Sequence, residues 1–113
     1  MKKNVKIFLT HILNSINLIE EYTKGKSKSD FLKSKQFQDS VIRRIEIIGE
    51  AIKNIPDDIK RNYSQIPWKE ITGMRDILIH QYFGVDLDLT WQVVDKDLPI
   101  LKRQILDINK KID

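Results

Sequence analysis

The sequence predicts an all-α protein, an antiparallel bundle of four to five helices in one domain that spans residues 1–113. Apolar residues recur at spacings of three and four along most of the chain, which is the periodicity of helices with one buried face. The chain has only four glycines and three prolines, and alternation of apolar and polar residues is nearly absent, so strands are not expected. Short connections between helices favour antiparallel neighbours.

The first helix is predicted from Lys3 to Tyr22, because its apolar residues form one stripe. The segment Thr23 to Asp30 breaks this pattern with Gly, Ser and Lys residues and predicts a basic loop. The residues of the stripe are Val5, Phe8, Leu9, Ile12, Ile16 and Ile19.

The second helix is predicted from Phe31 to Ile55, with Asp30 as its N-cap. Pro56 ends it, since proline lacks the N–H that the next helical turn needs. Gly49 lies inside this helix, where glycine costs about 1 kcal/mol relative to alanine, so we expect another helix to pass close to it. The predicted buried residues are Val41, Ile45, Ile48, Ile52 and Ile55.

The third helix is predicted to follow a connection over residues 56–67 that has room for one helical turn. It begins near Pro67 or Trp68, because proline suits a first helical turn, and it continues through Gln81. Its predicted buried side consists of Trp68, Ile71, Met74, Ile77 and Leu78.

The fourth helical region is predicted from Leu87 to Lys111, after a turn at residues 83–86. Gly84 can adopt a left-handed conformation there, and Asp86 or Asp88 can cap the helix. Pro99 interrupts the region and predicts a kink or two consecutive helices.

Composition limits the class of protein. Apolar residues make up 41% and charged residues 32%, as in globular proteins, and the absence of cysteine fits a reducing cytoplasm. Polar residues interrupt the N-terminal apolar run, so neither a signal peptide nor a membrane span is expected. Residues 1–44 hold ten Lys and Arg against four Asp and Glu, a balance that would attract a polyanion such as RNA but also fits a solvated lysine face.

Most catalytic motifs are absent. The sequence contains no P-loop, no dinucleotide-binding glycine pattern and no zinc-protease or serine-hydrolase motif. With two histidines and no cysteine, a histidine-rich metal site is not expected. The sequence therefore predicts that any catalysis uses a few polar side chains without a bound metal or other cofactor.

The segment Thr72 to Asp86 combines the most polar residues with a helical pattern. On one helix, at about 100° per residue, Asp76 and His80 would lie one turn apart and Arg75 would share a side with Tyr82. His80 suits proton transfer near neutral pH, and Arg75 can hold a phosphate through paired hydrogen bonds. Asp76 could orient the imidazole, and Tyr82 could bind phosphate or stack on a base. Such a set could cleave RNA without metal.

Structural interpretations of the same residues stay open. Asp and His four apart on a helix often form a simple surface pair. His11 has no charged neighbour at helical spacing and is interpreted as structural, and Trp68 and Trp91 are interpreted as core residues. Glu46 and Glu50 could hold a divalent ion, although carboxylates at this spacing are more typical of a solvated face.

The stretch IPWKEITGMRDILIHQYFGVDLDLTW, from Ile66 to Trp91, closely resembles the HepT-like family, a minimal branch of the HEPN domains. IIGEAIKNIP, from Ile47 to Pro56, and DLPILKRQI, from Asp97 to Ile105, resemble other parts of that family. The central motif is an Arg, four residues, a His, one residue and a Tyr, which here runs from Arg75 to Tyr82. The resemblance covers nearly the whole chain.

The resemblance implies a helical bundle that forms a homodimer and acts as the metal-independent ribonuclease toxin of a type II toxin–antitoxin pair. It implies that Arg75 and His80 are catalytic and that Asp76 supports them. It also implies a nucleotidyltransferase antitoxin as partner, which transfers AMP to Tyr82 and silences the toxin. The alternatives are a non-catalytic module that pairs with the nucleotidyltransferase and binds nucleotide, and a purely structural bundle.

Overall fold

Three long helices form the frame of the molecule in this computed structural model, which describes the backbone of residues 2–80 and 84–112 and the side chains of residues 5–79 and 84–112. The described chain is almost entirely helical, which confirms the all-α prediction. The helices are α1 (Lys2–Thr23), α2 (Lys28–Lys33), α3 (Lys35–Lys53), α4 (Asp57–Asn62), α5 (Trp68–Thr72), α6 (Met74–Leu78), α7 (Leu87–Gln92) and α8 (Leu98–Lys111). Two short strands, β1 (Ile79–His80) and β2 (Gly84–Val85), pair antiparallel between α6 and α7.

Helix α1 runs antiparallel to α3, since Phe8 lines one cleft with Asn54 and Tyr22 lines another with Gln36, and it also runs antiparallel to α8. Its beginning lies beside the end of α8, where Lys6 Nζ donates to the carbonyl of Asn109 over 3.5 Å. Its last turns lie beside the start of α8, where Lys102 Nζ lies 2.7 Å from Glu20 Oε1. The predicted stripe of α1 is buried apart from Phe8, which is partly buried at the edge of the core. The antiparallel arrangement predicted from short connections is therefore confirmed for these helices.

The boundary between α2 and α3 corrects the prediction of one helix from Phe31 to Ile55. Ser27, and not Asp30, is the N-cap of α2, since its hydroxyl accepts from the backbone N–H of Asp30 at 3.2 Å. Asp30 is the third helical residue, and its carboxylate accepts from the backbone N–H of Ser27 at 2.8 Å. Ser34 then separates the two helices by capping α3, where its hydroxyl accepts from the N–H of Phe37. Short polar side chains that compete for backbone hydrogen bonds thus divide the predicted helix.

The third predicted helix is shorter than expected. Gly73 separates α5 from α6, and the helical conformation ends at Leu78 and not at Gln81. Ile79 pairs with Val85 and His80 with Gly84, and Gly84 has the positive φ, 84°, that was predicted for it. Two β-branched residues and a glycine that can turn the chain favour this hairpin over another helical turn. Gln81 lies outside the described residues.

The exposed side of α6 also differs from the prediction. Trp68, Ile71 and Leu78 are buried as expected, but Ile77 is 54% exposed. The prediction placed Ile77 on the buried face of a continuous helix, and the break at Gly73 removes that continuity. An apolar side chain therefore lies on the surface beside the central motif.

The fourth helical region begins at Leu87 and ends at Lys111, as predicted, and its regular helix is interrupted before Pro99. A π-helical turn, Val93–Asp97, joins α7 to α8, and Pro99 lies in the first turn of α8. The proline ring would clash with the carbonyl four residues earlier in a regular helix, and a wider turn relieves that contact. Asp86 is the N-cap of α7, because its carboxylate accepts from the N–H of Leu89 at 3.1 Å.

Gly49 allows α5 to approach α3 closely, as its position inside a helix predicted. A Cβ atom at this position would lie 3.4 Å from the carbonyl oxygen of Thr72 and 3.9 Å from that of Ile71. A methyl group just fits this space, whereas a branched side chain would overlap the end of α5.

Within the described residues, no helix has both the length and the apolar character required to cross a lipid bilayer.

We expect Gly49→Val to lower the free energy of unfolding by about 2 kcal/mol, because its methyl groups overlap the carbonyls of α5. Gly49→Ala is the matched control and should be close to neutral, since better helix propensity offsets the tighter contact. Urea denaturation of the two variants measures the difference. Equal stability of Gly49→Val and the unsubstituted protein would contradict the proposed close contact.

Candidate active site

Arg75 lies in the first turn of α6 and is held by carboxylates. Its Nε donates to Oε2 of Glu46 on α3 at 2.5 Å, and its Nη1 lies 3.7 Å from Oδ1 of Asp76. The arginine side chain is 51% exposed, and the Glu46 side chain is 28% exposed. The guanidinium group is therefore fixed on one side and open to solvent on the other.

The hydrogen bond that Arg75 donates to Glu46 raises the pKa of Arg75 further above its usual value, and the negative charges of Glu46 and Asp76 act in the same direction. Arg75 is thus a permanent cation at any physiological pH. A guanidinium has five N–H donors, so the contact through Nε leaves donors on both terminal nitrogens that can bind an anion such as phosphate.

Arg75 lines an open cleft of about 410 Å³ between α1 and α3. Phe8 and His11 contribute to the cleft from α1, and Arg43, Glu46 and Glu50 contribute from α3. The size falls within the range of small-molecule binding sites. The cleft thus joins two arginines and an imidazole in a space that could hold part of a nucleic acid.

The structure separates the predicted motif residues by backbone conformation. Arg75 and Asp76 lie on α6, whereas the backbone of His80 is extended in β1. The predicted geometry, with Asp76 and His80 one helical turn apart, is therefore wrong, because the helix ends between them. The side chain of His80 and the whole of Tyr82 lie outside the described residues, so their predicted roles stay predictions.

Asp76 lies next to the motif arginine. Its carboxylate lies beside the Arg75 guanidinium and is 85% exposed. The described contact of Asp76 is thus with the arginine of the motif. The prediction that Asp76 orients the His80 imidazole was based on helical spacing, and this spacing does not hold because α6 ends at Leu78.

The sequence did not predict that Glu46 and His11 line a cleft with Arg75. Glu46 is separated from Arg75 by 29 positions, so no local spacing indicates their contact. His11 was interpreted as structural because its own helix gives it no charged neighbour, and the contact between helices places it in the cleft. Gly49 was the one sequence signal for this arrangement, since it predicted the close approach of helices near Glu46.

Side chains that could bind a metal ion are described for residues 5–79 and 84–112. In these ranges no three His, Cys, Asp or Glu side chains gather as a potential metal site. Of the two glutamates considered for a divalent ion, Glu46 instead accepts a hydrogen bond from Arg75.

Fold and site together define an almost entirely helical domain with an open cleft at its central motif that two arginines and two glutamates line. The chain belongs to the family described as ribonuclease HepT-like, whose model matches residues 12–108. The resemblance found in the central motif is therefore confirmed at the level of the family.

Curated relatives cover nearly all of this chain. A probable ribonuclease HepT of Thermococcus cleftensis is 49% identical over 110 residues, which are 97% of this chain and 100% of that protein. A putative RNase of Caldanaerobacter subterraneus subsp. tengcongensis is 42% identical over 109 residues, 96% of this chain and 97% of that protein.

One similar protein is much longer than this chain. A gamma-glutamylcyclotransferase and putative RNase of Methanocaldococcus jannaschii is 64% identical over 113 residues, which are 100% of this chain and 51% of that protein. The chain thus spans about half the length of this relative. No solved structure matches the chain significantly.

Proposed function

We propose that this protein is a metal-independent endoribonuclease, the toxin of a type II toxin–antitoxin pair in the cytoplasm. The observation that carries the proposal is the Arg75 guanidinium, which Glu46 holds at the wall of an open cleft. Relatives that are named ribonucleases and match nearly the whole chain support RNA as the substrate.

The proposed reaction uses Arg75 and His80. The imidazole of His80 takes the proton of the 2′-hydroxyl, the 2′-oxygen forms a bond to phosphorus, and the bond from phosphorus to the 5′-oxygen breaks. The leaving oxygen gains a proton from the imidazolium, and a 2′,3′-cyclic phosphate results. The terminal nitrogens of Arg75 bind the phosphate and stabilise the charge that develops on its oxygens. Asp76 supports this arrangement through its contact with the guanidinium.

We further propose that two copies dimerise through an apolar groove beside α6. The groove has a volume of about 420 Å³ and is lined by side chains of α5, α6, α7 and α8. Ile77 and Ile100 lie at this groove with 54% and 48% of their surfaces exposed. Because a groove and protruding apolar side chains share one face, two copies related by a two-fold axis can fill each other's grooves. The central motifs of both copies would then lie near the interface.

The resemblance also supports control by a nucleotidyltransferase antitoxin. Transfer of AMP from ATP to the hydroxyl of Tyr82 forms a phosphodiester bond and releases pyrophosphate. We propose that the new anionic group lies beside the Arg75 guanidinium. The modification would then exclude the RNA phosphate by bulk and by occupying the guanidinium.

Cleavage of RNA in the presence of EDTA is the central test. We expect Arg75→Ala and His80→Ala each to reduce the rate by about 100-fold or more, because one removes the phosphate donors and the other removes the proton acceptor. Arg103→Ala is the matched control, since Arg103 is exposed on α8, and its rate should not change. Products should end in a cyclic phosphate by mass spectrometry.

The proposed chemistry is wrong if His80→Ala cleaves RNA as fast as the unsubstituted protein. A folded protein that binds but never cleaves RNA would instead support the non-catalytic binding module.

Substitution at the groove tests the dimer. Ile77→Asp should shift the protein from dimer to monomer at micromolar concentration, because each interface would bury two carboxylates without partners. Ile7→Asp is the control, since Ile7 is 50% exposed on α1 and does not line the groove. Sedimentation velocity measures the change. A dimer that survives Ile77→Asp would exclude this groove as the interface.

Intact-mass measurement tests the modification. Incubation with ATP and a nucleotidyltransferase of the proposed antitoxin class should add AMP-sized steps to its mass, and Tyr82→Phe should prevent them. Tyr63→Phe is a control at another tyrosine. Addition of AMP to the Tyr82→Phe protein would show that another residue is the acceptor.

A further inference from the structure

The cleft beside Arg75 has charges of opposite sign at its two ends along α3. Arg43 and Glu50 are seven residues apart on this helix and both line the cleft, which separates them by about 10 Å along the helix axis. Glu46 lies between them and is compensated by its hydrogen bond from Arg75. The cleft is therefore cationic near Arg43 and anionic near Glu50.

The guanidinium of Arg43 is available to bind an anionic ligand. Among the described side chains, no carboxylate lies within ion-pairing distance of its guanidinium, and the residue is exposed. A guanidinium without a carboxylate partner is the arrangement that favours binding of a phosphate through two parallel hydrogen bonds.

The α1 side of the cleft carries two rings. The centroids of Phe8 and His11 lie 6.4 Å apart, and the ring planes meet at 81°. Phe8 packs against the core, while His11 is exposed. The Phe8 contact holds the imidazole at the cleft, where an aromatic face can stack on a base of single-stranded RNA.

We propose that this cleft binds one nucleotide of the RNA next to the cleaved bond, with its backbone phosphate on Arg43 and its base against His11. Glu50 lies at the other end, where its carboxylate can accept hydrogen bonds from amino or imino groups of a base. The polarity of the cleft thus matches a nucleotide, which is anionic at its phosphate and carries donors on its base. The choice of RNA as the ligand rests on the proposed function. The proposed contacts with Arg43 and His11 rest on the geometry of the cleft.

Binding of a short, fluorescein-labelled oligouridylate tests the phosphate contact by fluorescence anisotropy. The His80→Ala protein serves as background, so that the RNA stays intact. Adding Arg43→Gln should weaken binding about five-fold at about 0.1 M salt and reduce the slope of log K against log salt by about 0.7, the amount expected for one phosphate on a single strand. Arg103→Gln changes the net charge equally but lies outside the cleft, and it should leave the slope unchanged.

A second pair of variants tests the stacking contact. In the same background, His11→Leu should weaken binding about five-fold or more, because stacking on a base contributes about 1–3 kcal/mol. His11→Phe keeps an aromatic ring and should retain the affinity. Both side chains replace an exposed residue, and circular dichroism melting confirms that each variant folds.

The outcomes separate this proposal from the proposed function. RNA binding that depends on Arg43 and His11 in a protein that never cleaves RNA would support the nucleotide site and overturn the nuclease. Cleavage with an Arg43→Gln salt slope equal to that of Arg103→Gln would overturn the phosphate contact and leave the nuclease. Equal affinities of His11→Leu and His11→Phe would overturn the stacking contact, and no RNA binding at all would overturn the nucleotide site.

Discussion

The candidate site depends on how closely α5 can approach α3. Gly49 sets this distance, because a Cβ atom there would already lie 3.4 Å from the carbonyl oxygen of Thr72. Only Gly73 separates α5 from α6, so the position of α5 on α3 also fixes the first turn of α6. Arg75 thereby comes within hydrogen-bond distance of Glu46. Gly49, which has no side chain, thus determines where the Arg75 guanidinium lies in the cleft.

The contact between Arg75 and Glu46 matters more for geometry than for stability. Both side chains are partly exposed, and exposed ion pairs contribute little to folding because solvent screens them and ordering the side chains costs entropy. The same hydrogen bond fixes the plane of the guanidinium through Nε. Its terminal nitrogens then present donors in a defined orientation, which is the property that recognition of a phosphate requires.

Periodicity predicted the long helices well, since apolar stripes depend on one continuous element at a time. The predicted stripe residues between Leu9 and Ile19 and the five predicted apolar residues between Val41 and Ile55 are buried. The division at Gly73 escaped prediction because apolar residues at helical spacing lie on both sides of it, and the division at Ser34 escaped because the predicted helix was extended across the polar residues 33–36. Ile77 shows the consequence, since a pattern that would bury it on a longer helix leaves it exposed on a short one.

The sequence predicted the residues of the central motif but not the residues that surround Arg75 in the cleft. Arg75 was identified from chemistry and from the resemblance of the motif, both of which are local in sequence. The neighbours Glu46 and His11 come from two other helices, and their contact with the cleft depends on packing that no spacing encodes. His11 could not be distinguished from a structural histidine within α1 alone, because the charged groups that line the cleft with it belong to α3 and α6.

The hairpin separates Arg75 and Asp76, which lie on α6, from His80, which lies in β1. The backbone N–H of Asp86 donates to the carbonyl of Leu78 at 2.7 Å, which closes the base of the hairpin and joins the end of α6 to the cap of α7. Beyond Leu78 the chain advances about 3.3 Å per residue instead of about 1.5 Å. The backbone of His80 therefore does not lie where one continuous helix would place it. In the proposed dimer, a second copy that covers Ile77 also approaches this hairpin, so dimerisation and the placement of His80 would be coupled.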